Sequence, residues 1–277
     1  MVPTPCFQQW LRSCLWTPLL CLGLITGCAE KTDFSDTRTG ANAQTAWERL
    51  IKQAVRSDGV DYSVFRNRPM VVSQYLKWVS THGRYSDGWG ESKEDKRIAH
   101  LANAYNAAVI HAILVHEPTT SVDEIKVGMY QWPGSGLKYG SRYRVDKEWL
   151  TLHRLSQVEA VSRYQEPLLW LMFHNGTRDS PPLKWWPSRG LQRDVEKELR
   201  SFLASDAGLR RTTTGWAANQ LFFDKEKDFL EWHDQPNLCA WMIKYTTKER
   251  RKWMEEHVED CPLEEQLPDR RLNRASP

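Results

Sequence analysis

The feature that most constrains the fold is a predicted helix, over about residues 92–115, that has no polar face. Ser92 and Asp95 form a capping pattern at its start, and residues 102–115 are apolar nearly all round. A helix that is apolar on every side has to be buried. The chain has 277 residues, 40 % of them hydrophobic, which is enough to surround such a helix with a core.

Shorter elements flank this buried helix. Periodicity predicts further helices from Thr45, from Pro69, through Leu191 and over 229–245 and 248–258, with short helices capped by Asp146 and by a Ser156–Glu159 box. Strand-like segments are predicted at 59–65, near 145 and at 216–223. We therefore predict a single helix-rich α+β domain over 45–260. The charged, proline-containing stretch 261–277 is predicted to be a disordered tail.

The N-terminus resembles a bacterial lipoprotein signal peptide. Arg12 precedes the apolar run CLWTPLLCLGLI (14–25), which is too short for a mature membrane helix and fits a signal-peptide core. Small residues then stand directly before Cys28, as in a lipobox. We expect removal of residues 1–27, lipid such as palmitate on Cys28, and a polar tether over 28–44. An ordinary signal peptide with an unrelated cysteine is the alternative.

The anchor would place the domain in an oxidising compartment of the cell envelope. Ala29, rather than Asp, follows the lipobox cysteine, and this resembles the sorting pattern for an outer-membrane protein facing the periplasm. Cys239 and Cys261 would then be able to form a disulfide or would remain as two unreactive thiols. Basic and acidic residues are interleaved and the net charge is +3, so we expect no nucleic-acid partner.

The buried helix carries the motif NAYN, in which Asn103 and Asn106 lie three residues apart on one face and flank Tyr105. An unpaired buried amide costs about 1–3 kcal/mol, so both asparagines need hydrogen-bond partners. One interpretation is a structural network that pins a loop onto the core. The other is a polar cleft floor that presents amide groups to a ligand.

Several landmarks occur in an order that resembles the domain-of-unknown-function 547 family. They are VDY (60–62), YLKWV (75–79), AHLANAYNAAVIHAIL (99–114), EPLLWLMFHNGTRDSPPL (166–183) and DFLEW (228–232). The resemblance spans about residues 60–245. It implies the family's fold, and the frequent export of bacterial members agrees with a lipobox, but it implies no particular reaction.

The same resemblance predicts the loss of a reactive site. Typical members carry a histidine and two cysteines in the fourth landmark, a set that invites thiol or metal chemistry. The matching positions in this sequence are Trp170, Asn175 and Ser180. Gly176 and the proline pair that starts at Pro181 remain, so the loop geometry is predicted to persist without its reactive groups.

Two further activities stay open. His174, Asp179 and Ser180 are the ingredients of hydroxyl-nucleophile catalysis, which would suit an envelope hydrolase acting on peptide or cell-wall substrates in a cleft lined by Asn103 and Asn106. The second activity is glycan binding by exposed loop tryptophans, for which the candidates are Trp132, Trp185 and Trp186. The histidine spacing matches no metal motif and no cofactor fingerprint occurs, so we expect neither a metal nor a cofactor.

Together these features predict a lipid-anchored envelope protein with a binding or assembly domain rather than an enzyme. The expected partners are the membrane, through the lipid, and a cell-wall glycan or another envelope protein. The candidate cleft residues are Asn103, Tyr105, Asn106, Trp170, His174, Asn175 and Ser180.

Overall fold

A computed structural model describes residues 31–32, 43–90 and 93–276. The predicted signal peptide, Cys28, most of the predicted tether and Ser92 lie outside the described residues. Within them the fold is a mixed α+β domain rich in helix, as predicted from the sequence. The α-helices are α1 Ala43–Ala54, α2 Tyr62–Arg66, α3 Pro69–Thr81, α4 Glu94–His116, α5 Leu191–Ala204, α6 Gln220–Asp224, α7 Glu226–His233, α8 Leu238–Ile243 and α9 Lys248–Glu256.

The strands are short and form small sheets. They are β1 Lys31–Thr32, β2 Val55–Arg56, β3 Gly59–Val60, β4 Arg142–Val145, β5 Glu148–Thr151, β6 Leu209–Arg211, β7 Trp216–Ala218 and β8 Glu264–Glu265. β1 pairs in parallel with β4, which forms an antiparallel hairpin with β5, and β2 pairs with β3. In the third sheet β7 lies between an antiparallel β6 and a parallel β8.

Helix α4 is the helix predicted to be buried, and it contributes to two hydrophobic clusters. Its C-terminal half packs with α1, α2, α3 and the β4–β5 hairpin, and its N-terminal residues Ile98, Ala99 and Ala102 pack with the cluster built on α5 to α9. By length and apolar composition α4 could cross a membrane, but 78 % of the relevant window is buried inside the domain. Its apolar surface is therefore accounted for by the core.

Two predicted helix caps are wrong. Asp146 lies with Lys147 in the turn between β4 and β5, where both have positive φ, and its carboxylate accepts hydrogen bonds from the backbone N–H groups of Tyr85 and Ser86. Ser156 does not begin a helix. It lies inside a π-helix, Arg154–Ser162, and its hydroxyl donates to the Leu152 carbonyl. Both side chains form hydrogen bonds that short-range sequence patterns do not indicate.

The predicted disordered tail is ordered over its described part, to residue 276. The Leu272 side chain is buried, and its N–H donates to the Thr120 carbonyl at 2.7 Å. The N–H of Asn273 donates to the Gly176 carbonyl at 2.8 Å, and the N–H of Arg178 donates to the Arg271 carbonyl at 2.9 Å. Residues 268–276, which we name the C-terminal strap, thus cover the loop after residue 173.

Candidate functional site

The two asparagines of α4 clamp the ends of the segment 172–186, which we name the clamped loop. The Asn103 amide donates to the Trp186 carbonyl at 2.8 Å and its oxygen accepts the Trp186 N–H at 3.0 Å. The Asn106 amide donates to the Met172 carbonyl at 3.1 Å, and its oxygen accepts the His174 N–H at 3.0 Å. Both asparagines are buried and bind the loop backbone, as in the interpretation of a network that pins a loop onto the core, and they do not line the cleft described below.

An open cleft lies beside the middle of the clamped loop and has a volume of about 310 Å³. This value is at the lower end of the range for small-molecule sites. Four of the predicted cleft residues line it, whereas Asn103, Asn106 and His174 do not. The four are Tyr105, Trp170, Asn175 and Ser180.

Aromatic rings form the apolar wall of this cleft. The Tyr105 and Phe173 ring centres lie 4.9 Å apart, and Phe173 also meets the edge of Trp170. The Trp170 indole N–H donates to Asp228 at 2.9 Å, and the Lys225 ammonium lies 4.0 Å from the centre of the Trp170 ring. At Trp170 this chain therefore has a fixed ring with a cation over its face.

Charges of both signs line the rest of the cleft. Lys138 and Lys225 face it together with Asp179 and Asp224. Burial lowers the pKa of Lys225 and raises the pKa of Asp179 from their ordinary values. His153 also lines the cleft, and its pKa is lowered by burial and by the two lysines. A ligand with both an amine and an acidic group would find a counterpart for each on these walls.

The backbone of the clamped loop is shaped by Gly176. Its φ of +86° favours glycine, and a Cβ atom there would meet Val122 at 2.8 Å and Ile113 at 3.0 Å. The Asn175 side-chain oxygen accepts the Thr177 N–H at 3.0 Å and so closes the turn around this glycine. These contacts leave Asn175 exposed at the cleft.

His174 and Ser180 meet below this turn. The Ser180 Oγ lies 2.8 Å from His174 Nδ1, but the same nitrogen lies 2.8 Å from the Pro181 carbonyl oxygen. A carbonyl can only accept, so Nδ1 must carry the hydrogen and cannot remove the Ser180 proton. The Ser180 hydroxyl instead donates to the Thr177 carbonyl at 3.0 Å. This arrangement closes the loop and does not activate the hydroxyl.

His174 also lacks the partner that a catalytic histidine needs. Its ring is fully buried, and within the described residues Nε2 has no hydrogen-bond partner. The predicted third member, Asp179, is bonded by the Thr177 hydroxyl. Burial lowers the pKa of His174 to about 4, so the ring is neutral near pH 7. The geometry of the three residues therefore differs from that of a catalytic triad.

Sequence reasoning missed the opposite wall of the cleft. Lys225 and Asn219 come from the α6 region, and Pro268 and Arg270 come from the C-terminal strap. The Asn219 amide donates to the Asp179 and Ala207 carbonyls at 2.8 and 2.9 Å, which joins the segment before β6 to the clamped loop. An asparagine before the apolar run QLFF is a typical helix cap, and this signal was available for α6. No local pattern indicates that the strap reaches the cleft.

The loop tryptophans proposed for glycan binding do not form one surface. Trp132 is 70 % exposed, whereas Trp186 is 1 % exposed and donates its indole N–H to the Met172 carbonyl. Trp185 is half-buried, with its ring edge against Tyr75. Trp186 therefore belongs to the core and Trp185 packs against it, which leaves Trp132 as the exposed ring among these three.

Cys239 and Cys261 form a disulfide in the structure, with their Cα atoms 5.5 Å apart. Neither residue lines the cleft, and the bond joins α8 to the segment after α9. Among the described residues, no group of three or more His, Cys, Asp or Glu side chains is arranged to hold a metal ion.

In a comparison with protein families, the model of the family described as "Protein of unknown function, DUF547" matches residues 90–203. These residues include α4 and the whole clamped loop, which carried the resemblance in the sequence. Comparisons with curated proteins and with solved structures gave no significant match.

Proposed function

We propose that this chain, which carries the DUF547 family domain over residues 90–203, is a lipid-anchored protein of the bacterial envelope that binds a ligand without transforming it. One observation carries the proposal. Trp170, Asn175 and Ser180 replace the reactive side chains implied by the resemblance, and all three line the same open cleft. The place of a reactive site is thus kept while its chemistry is changed.

The cleft chemistry favours a ligand with charges of both signs and some apolar surface. The aromatic wall at Tyr105 and Trp170 offers apolar contact, and Lys225 and Asp179 offer opposite charges. In the envelope, this combination is found in the peptide part of cell-wall fragments, which has amines and carboxylates on a short chain. We therefore propose a cell-wall peptide as the ligand class.

Calorimetric titration with a disaccharide-peptide from peptidoglycan tests this proposal. The stem peptide alone and a neutral N-acetylglucosamine oligomer serve as the two comparison ligands. Saturable binding of the disaccharide-peptide and the stem peptide, but not of the sugar oligomer, is expected. Binding of the sugar oligomer alone would instead favour a glycan module, and no binding of any of the three would remove the proposed ligand class.

A hydrolase is the second candidate, and the 2.8 Å contact between Ser180 and His174 is the observation in its favour. The fixed Nδ1 hydrogen of His174 and its unpartnered Nε2 argue against it. Turnover of cell-wall peptides that is lost in Ser180→Ala would establish the hydrolase. A ligand that binds and is recovered unchanged would support the non-catalytic binding proposed above.

The anchor rests on the lipobox-like sequence that ends at Cys28. Metabolic labelling with a fatty-acid analogue tests it directly. We expect labelled protein in the membrane fraction and loss of both the label and the membrane association in Cys28→Ser. Label that persists in Cys28→Ser would contradict lipid attachment at this residue.

A further inference from the structure

A second and smaller cavity lies beside the N-terminal half of α4, between this helix, the β4–β5 hairpin and the π-helix Arg154–Ser162. Its volume is about 40 Å³. None of the residues that line it also lines the cleft described above. It is therefore a separate feature of the fold.

Arg97 lines this cavity as a buried cation without an anionic partner. Its side chain is 6 % exposed, and none of the ion pairs or hydrogen bonds found among the described residues includes its guanidinium. The Nε atom is buried without a partner, and the guanidinium carbon lies 5.5 Å from the centre of the Tyr164 ring. A buried charge is costly unless an opposite charge or hydrogen bonds compensate it, so Arg97 requires a partner.

His100 lies one helical turn further along and lines the same cavity. It is 7 % exposed, and both ring nitrogens are buried without hydrogen-bond partners among the described residues. The rings of Trp78 and Trp89 each lie 5.3 Å from its ring and fix its orientation. Burial lowers the pKa of His100 to about 4, although Asp146, Asp87 and a backbone group of His82 act in the opposite direction, so near pH 7 the ring is neutral and carries one N–H.

The acidic residues around the cavity have other partners or face solvent. Glu159 pairs with Arg163 at 2.6 Å and with Arg154 at 3.6 Å. The Asp146 carboxylate accepts two backbone N–H groups in the turn at Tyr85, and Glu148 is exposed. Among the described residues, no acidic side chain therefore forms an ion pair with Arg97. Arg97 and His100 present hydrogen-bond donors to this cavity.

We propose that this cavity binds a carboxylate group, held by the Arg97 guanidinium and the His100 ring N–H. A water needs roughly 10–15 Å³ of such space, so the cavity has room for about three waters, which is enough for the three non-hydrogen atoms of a carboxylate group. The planar guanidinium fork matches a carboxylate in two parallel hydrogen bonds. The neighbouring carboxylates would repel a dianion such as phosphate more strongly than a monoanion.

Thermal unfolding of the full chain in detergent with acetate tests the proposal, because a ligand of the folded state raises the midpoint of unfolding. Acetamide is the matched neutral probe and inorganic phosphate is the dianion probe, all at constant ionic strength. We expect a saturable rise with acetate and no rise with acetamide. N-acetylglycine distinguishes the two possible sources of the carboxylate group. A rise with N-acetylglycine indicates a carboxylate at the end of a larger molecule, and a rise with acetate alone indicates a small free carboxylate.

Arg97→Met supplies the matched variant, with the exposed Arg210→Met as its control. The affinity for acetate should fall at least tenfold in Arg97→Met and stay unchanged in Arg210→Met. If Arg97→Met does not fold, saturation-transfer NMR on the wild-type chain decides, with transfer expected to acetate and not to acetamide. Equal effects of acetate and acetamide, a larger effect of phosphate, or unchanged acetate binding in Arg97→Met would overturn the proposal.

Discussion

The ends and the middle of the clamped loop use similar residues for different purposes. At the ends, Asn103 and Asn106 lie in the core and bind only backbone groups of the loop. In the middle, Asn175 is exposed beside an open cleft. Burial, rather than residue type, separates an asparagine that maintains the fold from one that is available to a ligand. Changes at the buried ends should therefore alter stability most, and a change at the exposed Asn175 should alter binding.

The largest expected effect is that of Asn106→Leu. Removal of the Asn106 amide leaves the buried His174 N–H without a partner, at about 1–3 kcal/mol. The Met172 carbonyl loses one of its two donors and keeps the Trp186 indole N–H, so that lost hydrogen bond costs about 1 kcal/mol. We expect the free energy of unfolding to fall by about 3 kcal/mol or more, measured by urea denaturation. Asn175→Leu is the matched control, with an expected loss of about 1 kcal/mol. Equal losses in the two variants would break the distinction between the ends and the middle.

Acidification should also lower the stability of the fold, because several histidines are buried. Burial holds the pKa of His100, His111 and His174 at about 4, below the ordinary value near 6.5. Between these values the unfolded chain binds more protons, so stability present above pH 6.5 is lost as the pH falls toward 4. Glu166, whose pKa is raised to about 7 by burial, acts in the opposite direction. Three histidines outweigh one carboxyl group, so we expect a net loss of about 3 kcal/mol between pH 7 and pH 5, and a flat profile would contradict it.

A change in the C-terminal strap should affect stability and ligand binding together. Leu272 is 4 % exposed, and truncation of a buried leucine costs about 2–3 kcal/mol where the site can partly collapse. Because the strap binds the loop backbone at Gly176 and Arg178, we expect Leu272→Ala both to destabilise the fold and to weaken ligand binding. Calorimetry and urea denaturation measure both effects. Leu267→Ala, at an exposed position, is the control and should change neither.

In the cleft, Lys225→Met should change binding more than stability. The ammonium is half-buried over the Trp170 ring, where it can meet an acidic group of the ligand. We expect affinity for the stem peptide to fall about tenfold, which corresponds to roughly 1.4 kcal/mol. Lys227→Met is the control because Lys227 is exposed on α7. Identical affinities in the two variants would show that the peptide does not use this wall.

The smallest effect is expected for Ser180→Ala. The hydroxyl closes a turn by donating to the Thr177 carbonyl, so its loss should cost about 1 kcal/mol of stability. Affinity for the stem peptide should stay within twofold of the wild-type value. A tenfold change in affinity, measured by calorimetry, would mean that Ser180 contacts the ligand directly.

The sequence predicted the helix α4 and its need for polar partners, because amides at Asn103 and Asn106 cannot stay unpaired in an apolar environment. It did not predict which partners they have, since the backbone at Met172 and Trp186 lies more than sixty residues away along the chain. The order of the strap was missed for the same reason, because its partners Gly176 and Thr120 are distant in sequence and have no local pattern. The π-helix Arg154–Ser162 was also missed.

The most direct test of binding without reaction is mass spectrometry of the disaccharide-peptide after incubation with a molar equivalent of the wild-type protein. The fixed hydrogen on His174 and the occupied Ser180 hydroxyl predict that the ligand is bound and then recovered with unchanged mass. The same result is expected with Ser180→Ala. A cleaved product from the wild-type protein that is absent with Ser180→Ala would contradict this account and identify an enzyme.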